Sequence, residues 1–111
     1  MLDKGEIMRL WLDDVRPAPE GYIWCFSVNG AIAWIKNSEY EKYAYGGKGV
    51  ELLDLDHDLG DYAADGGDGV KLLDWLEETG RNYPIRIHSA NVVGVQNMRR
   101  IIERNGWKEV K

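Results

Sequence analysis

The 111-residue chain predicts an α/β domain on a mainly parallel, five-stranded sheet. Two observations carry that reading: short apolar runs alternate with segments whose apolar residues recur at helical spacing, and aspartate, proline and glycine punctuate the connections. Strands alternating with helices need βαβ crossovers, which make neighbouring strands parallel and place helices on the faces of the sheet. One domain is all this length holds, and 44% hydrophobic residues, with five Trp and six Tyr, give it a core.

The elements follow in order. Met1 to Ile7 is polar and unpatterned, so residues 1–7 are expected to be a dispensable leader, with Met8 a workable translation start, and residues 8–111 the single domain. Ile7 to Leu12 reads as a buried strand whose carboxyl end carries Asp13-Asp14. Arg16-Pro17-Ala18-Pro19-Glu20-Gly21 forbids a helix interior, so a loop follows. Tyr22 to Phe26 is the second strand, and Ser27 caps a helix with apolar face Val28, Ala31, Ile32 and Ile35. The polar, glycine-rich stretch from Lys36 to Gly49 reads as a long surface connection.

Val50 to Leu55 is the third strand, leading into Asp56-His57-Asp58-Leu59-Gly60 and an acidic loop that ends at Asp68. Val70, Leu72, Leu73 and Leu76 mark the next helix, with Gly80 as its stop. Pro84 to His88 is the fourth strand; Asn91 caps a helix striped by Val95, Met98, Ile101 and Ile102; Gly106 ends it before a last strand, Trp107 to Val110.

Charge and composition exclude several functions. Fourteen Lys plus Arg against 19 Asp plus Glu leave −5, unsuited to a sequence-blind grip on nucleic-acid backbone. Cys25 is the single cysteine, which fits a reducing compartment, and no apolar run approaches the ~18 residues of a membrane span, so the cytoplasm is expected.

In parallel sheets, ligands bind outside the carboxyl ends of the strands. That edge collects Asp13-Asp14, Asp56-His57-Asp58 and His88-Ser89-Ala90-Asn91, including both histidines. Carboxylates converging there repel one another unless a cation intervenes, and hard oxygen donors favour magnesium, with manganese or calcium as alternatives. The expected ligands are Asp13, Asp14, Asp56 and Asp58, the last through side chain or carbonyl. His57 and His88 are either structural imidazoles or the acid and base of a hydrolysis. Arg16 either clamps a phosphate or pairs back with Asp13 or Asp14. Asn91 is a helix cap whose exposed amides would also favour an anion. Asp61, Asp65 and Asp68 read as solvated or capping residues.

These residues resemble the receiver domain of response regulators, which implies a three-layer, flavodoxin-like fold. Asp13-Asp14 look like that family's acidic pair, Asp56 like its phosphoacceptor, Asp68-Gly69-Val70-Lys71-Leu72-Leu73 like the opening of its third helix, and Ser89 like its phosphoryl-contacting hydroxyl. The chain departs from the pattern: the first helix is replaced by the Arg-Pro-Ala-Pro loop, the last helix is absent, and only Lys108 or Lys111 stands near the place of the family's lysine. Leu10-Trp11-Leu12-Asp13-Asp14-Val15-Arg16-Pro17, Leu55-Asp56-His57-Asp58-Leu59-Gly60 and His88-Ser89-Ala90-Asn91 with Asn97-Met98 resemble a divergent branch, the cyclic-phosphate-processing receiver-like domains.

The resemblance implies action on cyclic phosphates of nucleotides or RNA ends. A Mg2+-dependent phosphoesterase is expected, with Arg16, Ser89 and Asn91 toward the phosphate, Asp56, His57, His88 and Ser89 in the chemistry, and either water or Asp56 attacking. The alternatives are a receiver module phosphorylated at Asp56 and an interaction module without site chemistry. The expected partner is a small phosphorylated ligand or a cyclic-phosphate RNA end.

Overall fold

The computed structural model describes residues 8–111; the expected leader lies outside the described residues. Eight elements follow one another: β1 (Met8–Leu12), β2 (Ile23–Cys25), α1 (Val28–Tyr45), β3 (Val50–Leu55), a 3-10 helix (Gly60–Ala64), α2 (Val70–Glu78), β4 (Ile85–Ile87) and α3 (Val92–Asn105). The four strands form one parallel sheet in the order β2-β1-β3-β4.

The order dictates where the helices go. From β2 to β3 and from β3 to β4 the chain steps across the sheet in the same direction, so right-handed crossovers put α1 and α2 on the same face. Val28, Ala31 and Ile35 of α1, Leu72, Leu73 and Leu76 of α2, and Met98, Ile101 and Ile102 of α3 accordingly share one core with Leu10, Leu12, Leu53, Leu55 and Ile85. The step from β1 to β2 runs the other way, so its connection belongs on the opposite face. There the loop after β1 bends back, and its Arg16 carbonyl accepts from Trp11 Nε1 at 2.9 Å. Among the described residues the helices thus lie on one side, where the three-layer expectation puts them on both.

Three boundaries also differ from expectation. Lys36 to Gly49 is not a surface connection up to Gly46: α1 continues to Tyr45 and stops where Gly46 turns left-handed (φ 75°), its N–H bonded to the Lys42 carbonyl. The continuation is hidden in the sequence because its inner face is polar. Ser38 is buried with its hydroxyl donating to the Ile35 carbonyl, and Glu39 pairs with Arg81 at 2.9 Å.

The expected fifth strand, Trp107 to Val110, makes only one parallel bridge, Glu109 to Ile85. β4 is three residues long, so its outer edge offers the segment little to pair with; two hydrogen bonds, Ile85 N to Lys108 O and Val110 N to Ile85 O, are the whole ladder. β2 and β4 are each shorter than the runs that mark them, spanning Ile23–Cys25 and Ile85–Ile87.

Candidate metal and phosphate site

Register brings the carboxylates together. Leu12 pairs with Leu55, so the next residues, Asp13 and Asp56, leave neighbouring strands side by side. Asp56 N donates to the Leu12 carbonyl at 2.9 Å, Asp13 N to the Cys25 carbonyl at 3.1 Å, and His88 N to the Leu55 carbonyl at 2.9 Å. Asp13, Asp14 and Asp56 each offer a carboxylate oxygen within 4.8 Å of the others. Asp58 is not with them. It falls into a second group with His57 and Asp68, which satisfies the same limit.

Asp13 is held more tightly than any other member. Only 1% exposed, it accepts through Oδ1 from the backbone N–H groups of Val15 and Arg16, both at 2.9 Å, and through Oδ2 meets His88 Nε2 at 3.0 Å. Three of its roughly four lone-pair sites are thereby used, leaving one for a cation. The Asp13 carbonyl accepts from Trp24 Nε1 at 2.7 Å.

Behind Asp13 stands a buried relay. His88 Nδ1 meets Asp54 Oδ1 at 2.7 Å, Asp54 Oδ2 accepts from Arg86 Nη1 at 3.1 Å, and the His88 ring stacks on Trp11 with centroids 3.7 Å apart and planes 5° from parallel. A neutral imidazole donates from one nitrogen only, so filling both bonds to acceptor-only carboxylates requires one further proton among the three groups. Both ring nitrogens are committed, and His88 braces Asp13 from behind.

Asp54 was not among the residues singled out above, yet its signal was present. A carboxylate inside Leu52-Leu53-Asp54-Leu55 must be paired if the run is a buried strand. The register Trp24–Trp11–Asp54–Arg86 across β2, β1, β3 and β4 puts these four side chains on the face opposite the helices.

Asp56 occupies the centre. Burial raises its carboxyl above the usual range, and the charge of Asp13 adds to this; the His57 N–H (2.8 Å to Asp56 Oδ1), the Ser89 hydroxyl and His88 pull the other way. Gly69 lies so close to the Asp56 carbonyl that a Cβ there would overlap it, and its N–H donates to the His57 carbonyl at 2.7 Å.

His57 lies beyond the end of β3 at Leu55, and its side chain meets α3. Its ring packs against Gly94 at the start of α3, where a Cβ would come within 2.5 Å of it, and Nδ1 bonds Asp58 Oδ1 at 2.7 Å. That bond, with Asn91, holds the Asp58 carboxyl below its ordinary value. Nε2 has no hydrogen-bond partner among the described residues. Asn91 caps α3 by accepting from Gly94 N at 2.9 Å while Nδ2 donates to both oxygens of Asp58. Ser89 Oγ accepts from Asn91 N at 3.1 Å.

The Arg16 guanidinium forms no ion pair with Asp13 or Asp14 among the described residues; its backbone, by contrast, is fully engaged. Lys108 lines a cleft with Arg9, Glu51 and Pro84 at the amino ends of the strands, remote from Asp56, and Lys111 pairs with Glu109 at 3.2 Å. Neither stands in for a phosphate-site lysine. Asp65 is also more than a solvated acid: it accepts from Ser27 Oγ at 2.8 Å and Asn29 Nδ2 at 2.9 Å, tying the acidic loop to the start of α1.

The family model described as the cyclic-phosphate processing receiver domain matches residues 8–104. No curated protein and no solved structure was found to match the chain.

Proposed function

Since the chain belongs to the cyclic-phosphate processing receiver domains, we propose that it is a metal-dependent phosphoesterase opening cyclic phosphates of nucleotides or RNA ends. The observation that carries this reading is the convergence of Asp13, Asp14 and Asp56 within 4.8 Å at the strand ends, where His88 Nε2 meets Asp13 at 3.0 Å.

The donor set fits a hard divalent cation. It consists of carboxylate oxygens, and Asp13 keeps one lone-pair site for it. Asp13, Asp14 and Asp56 would hold Mg2+, with Mn2+ or Ca2+ as substitutes. Bound there, the ion supplies neutralisation of phosphate charge.

The remaining roles fall to the chain. The Ser89 hydroxyl and the Arg16 guanidinium take phosphate oxygens. His57 is the better proton carrier of the two histidines, because Asp58 fixes its ring through Nδ1 and leaves Nε2 for the reaction, whereas His88 is bonded at both nitrogens. Water oxygen adds to phosphorus as the water passes a proton to His57 Nε2, one ring P–O bond breaks, and the departing oxygen takes that proton. His88, Asp54 and Arg86 position Asp13 throughout.

Incubation with 2′,3′-cyclic nucleotides and cyclic-phosphate RNA ends, with Mg2+ or Mn2+, tests the proposal. Monoester formation lost in Asp56→Asn is expected, and no turnover on any substrate overturns it. The position of Ser89 beside Asp56 also favours a second reading, a receiver phosphorylated at Asp56. Acetyl phosphate with Mg2+ would then add one phosphoryl mass to the wild type and none to Asp56→Ala.

A further inference from the structure

A row of aromatic rings borders the carboxylates and takes no part in the core. Trp24, whose Nε1 holds the Asp13 carbonyl, lies 4.6 Å from Phe26 by ring centroids with planes 35° apart; Phe26 lies 5.5 Å from Tyr62 at 27°. Phe26 follows β2, and Tyr62 sits in the 3-10 helix that begins at Gly60. Gly60 is pressed against Asp14, since a Cβ there would come within 2.6 Å of Oδ2. Both ends of the row are therefore anchored on the site, Trp24 on Asp13 and the Tyr62 segment on Asp14.

Phe26 is 41% and Tyr62 46% exposed. Exposing two large rings in mutual contact is costly in water, and nothing in the core requires them there. The contrast with α1 is informative: Tyr40, Tyr43 and Tyr45 are also exposed, but among the described residues none makes a ring contact or lies at the carboxyl edge of the sheet.

We infer that Phe26 and Tyr62 form a stacking shelf for a single nucleobase carried by the phosphate ligand, so that the natural substrate is a nucleoside cyclic phosphate or the terminal nucleotide of an RNA and not a base-free cyclic phosphate. This rests on the phosphate-handling reading of Asp13, Asp14 and Asp56. A planar base fits because aromatic side chains stack with any base through its π-face. One base fits better than a polymer because the chain's net charge of −5 offers no track for a phosphate backbone. The row's attachment to Asp13 at one end and Asp14 at the other puts its ligand next to the phosphate group.

Titration with adenosine 2′,3′-cyclic phosphate and with abasic ribose 2′,3′-cyclic phosphate, in Mg2+, separates the two ideas. The readout is Kd from NMR shifts, or KM where the ligand is turned over. The base should tighten binding roughly 5- to 150-fold in the wild type. Phe26→Leu/Tyr62→Leu should erase that gain while leaving the abasic ligand unchanged, and Tyr62→Phe should retain it. Equal affinity of the wild type for both ligands overturns the shelf and leaves the phosphoesterase reading standing; this comparison needs no variant to fold. Binding of neither ligand overturns both. Self-association of the wild type that the double variant abolishes makes the row a contact between copies of the chain and also overturns the shelf.

Discussion

Asp54, His88 and Asp13 show how one buried imidazole can join two buried carboxylates. Two carboxylates with less than 2% exposure tolerate burial because His88 lies between them and Arg86 and two backbone amides take the remaining oxygens. Removing the histidine leaves both without that partner. His88→Ala is expected to lower stability by about 3–5 kcal/mol in urea unfolding. Gly69 makes a second residue-level prediction. A side chain there meets the Asp56 carbonyl, a backbone atom that cannot rotate away, whereas Gly80 (φ 68°) has open space around it. Gly69→Ala should cost about 1–3 kcal/mol and abolish any Mg2+-induced rise in Tm. Gly80→Ala should cost about 1 kcal/mol and leave that rise intact; equal behaviour of the two in thermal melts would refute the distinction.

At the scale of elements, α1 is the part of the fold that polar residues conceal. Its second half is fastened by Glu39, which accepts from Arg81 Nε and Nη2 and from the Tyr83 hydroxyl, while Arg81 lies 4.4 Å over the Trp75 ring. The Arg81 hydrogen bond holds the Glu39 carboxyl below its ordinary value, opposed by partial burial and assisted by Tyr83. Because the folded pKa is depressed, the associated stability is fully present above the unfolded value of about 4.3 and is lost as pH falls through the lower folded value. Glu39→Gln should therefore cost about 1 kcal/mol at pH 7 and converge with the wild type in acid. A constant gap from pH 7 to pH 3 in chemical denaturation would show that the ion pair is not the cause.

Across the whole molecule, the helices cover one side of a sheet whose other side is furnished by Trp11, Trp24, the Asp13–Tyr22 connection and the Asp54–Arg86 pair. A single core therefore carries most of the folding energy, and Cys25 lies inside it at 3% exposure. Burial pushes its thiol up to about 12. Alkylation by iodoacetamide at neutral pH should then proceed only through global unfolding, rising with urea in step with loss of helical signal. A ligand that binds the folded site, such as Mg2+, should slow it by mass action. Rapid labelling of the native protein would show that the β2 edge opens independently. None of the helices among the described residues is long and apolar enough to cross a membrane.

The sequence alone determined the succession of four strands and three α-helices along the chain, the caps at Ser27 and Asn91, and the edge where Asp13, Asp14 and Asp56 meet, because all of these follow from local periodicity and the rule for parallel sheets. It did not determine how far α1 runs, because Ser38 and Glu39 face inward as polar residues and break the apolar stripe. Nor did it decide which acids lie together: Asp56 and Asp58 are two residues apart, yet beyond the end of β3 at Leu55 each joins a different group of side chains. Only the tertiary structure gave the histidines separate tasks, since His88 meets Asp54 and Asp13 through strand register across 34 and 75 residues of chain. Contacts at such separations depend on which side chains share a face after the sheet has assembled, and local pattern carries no record of that.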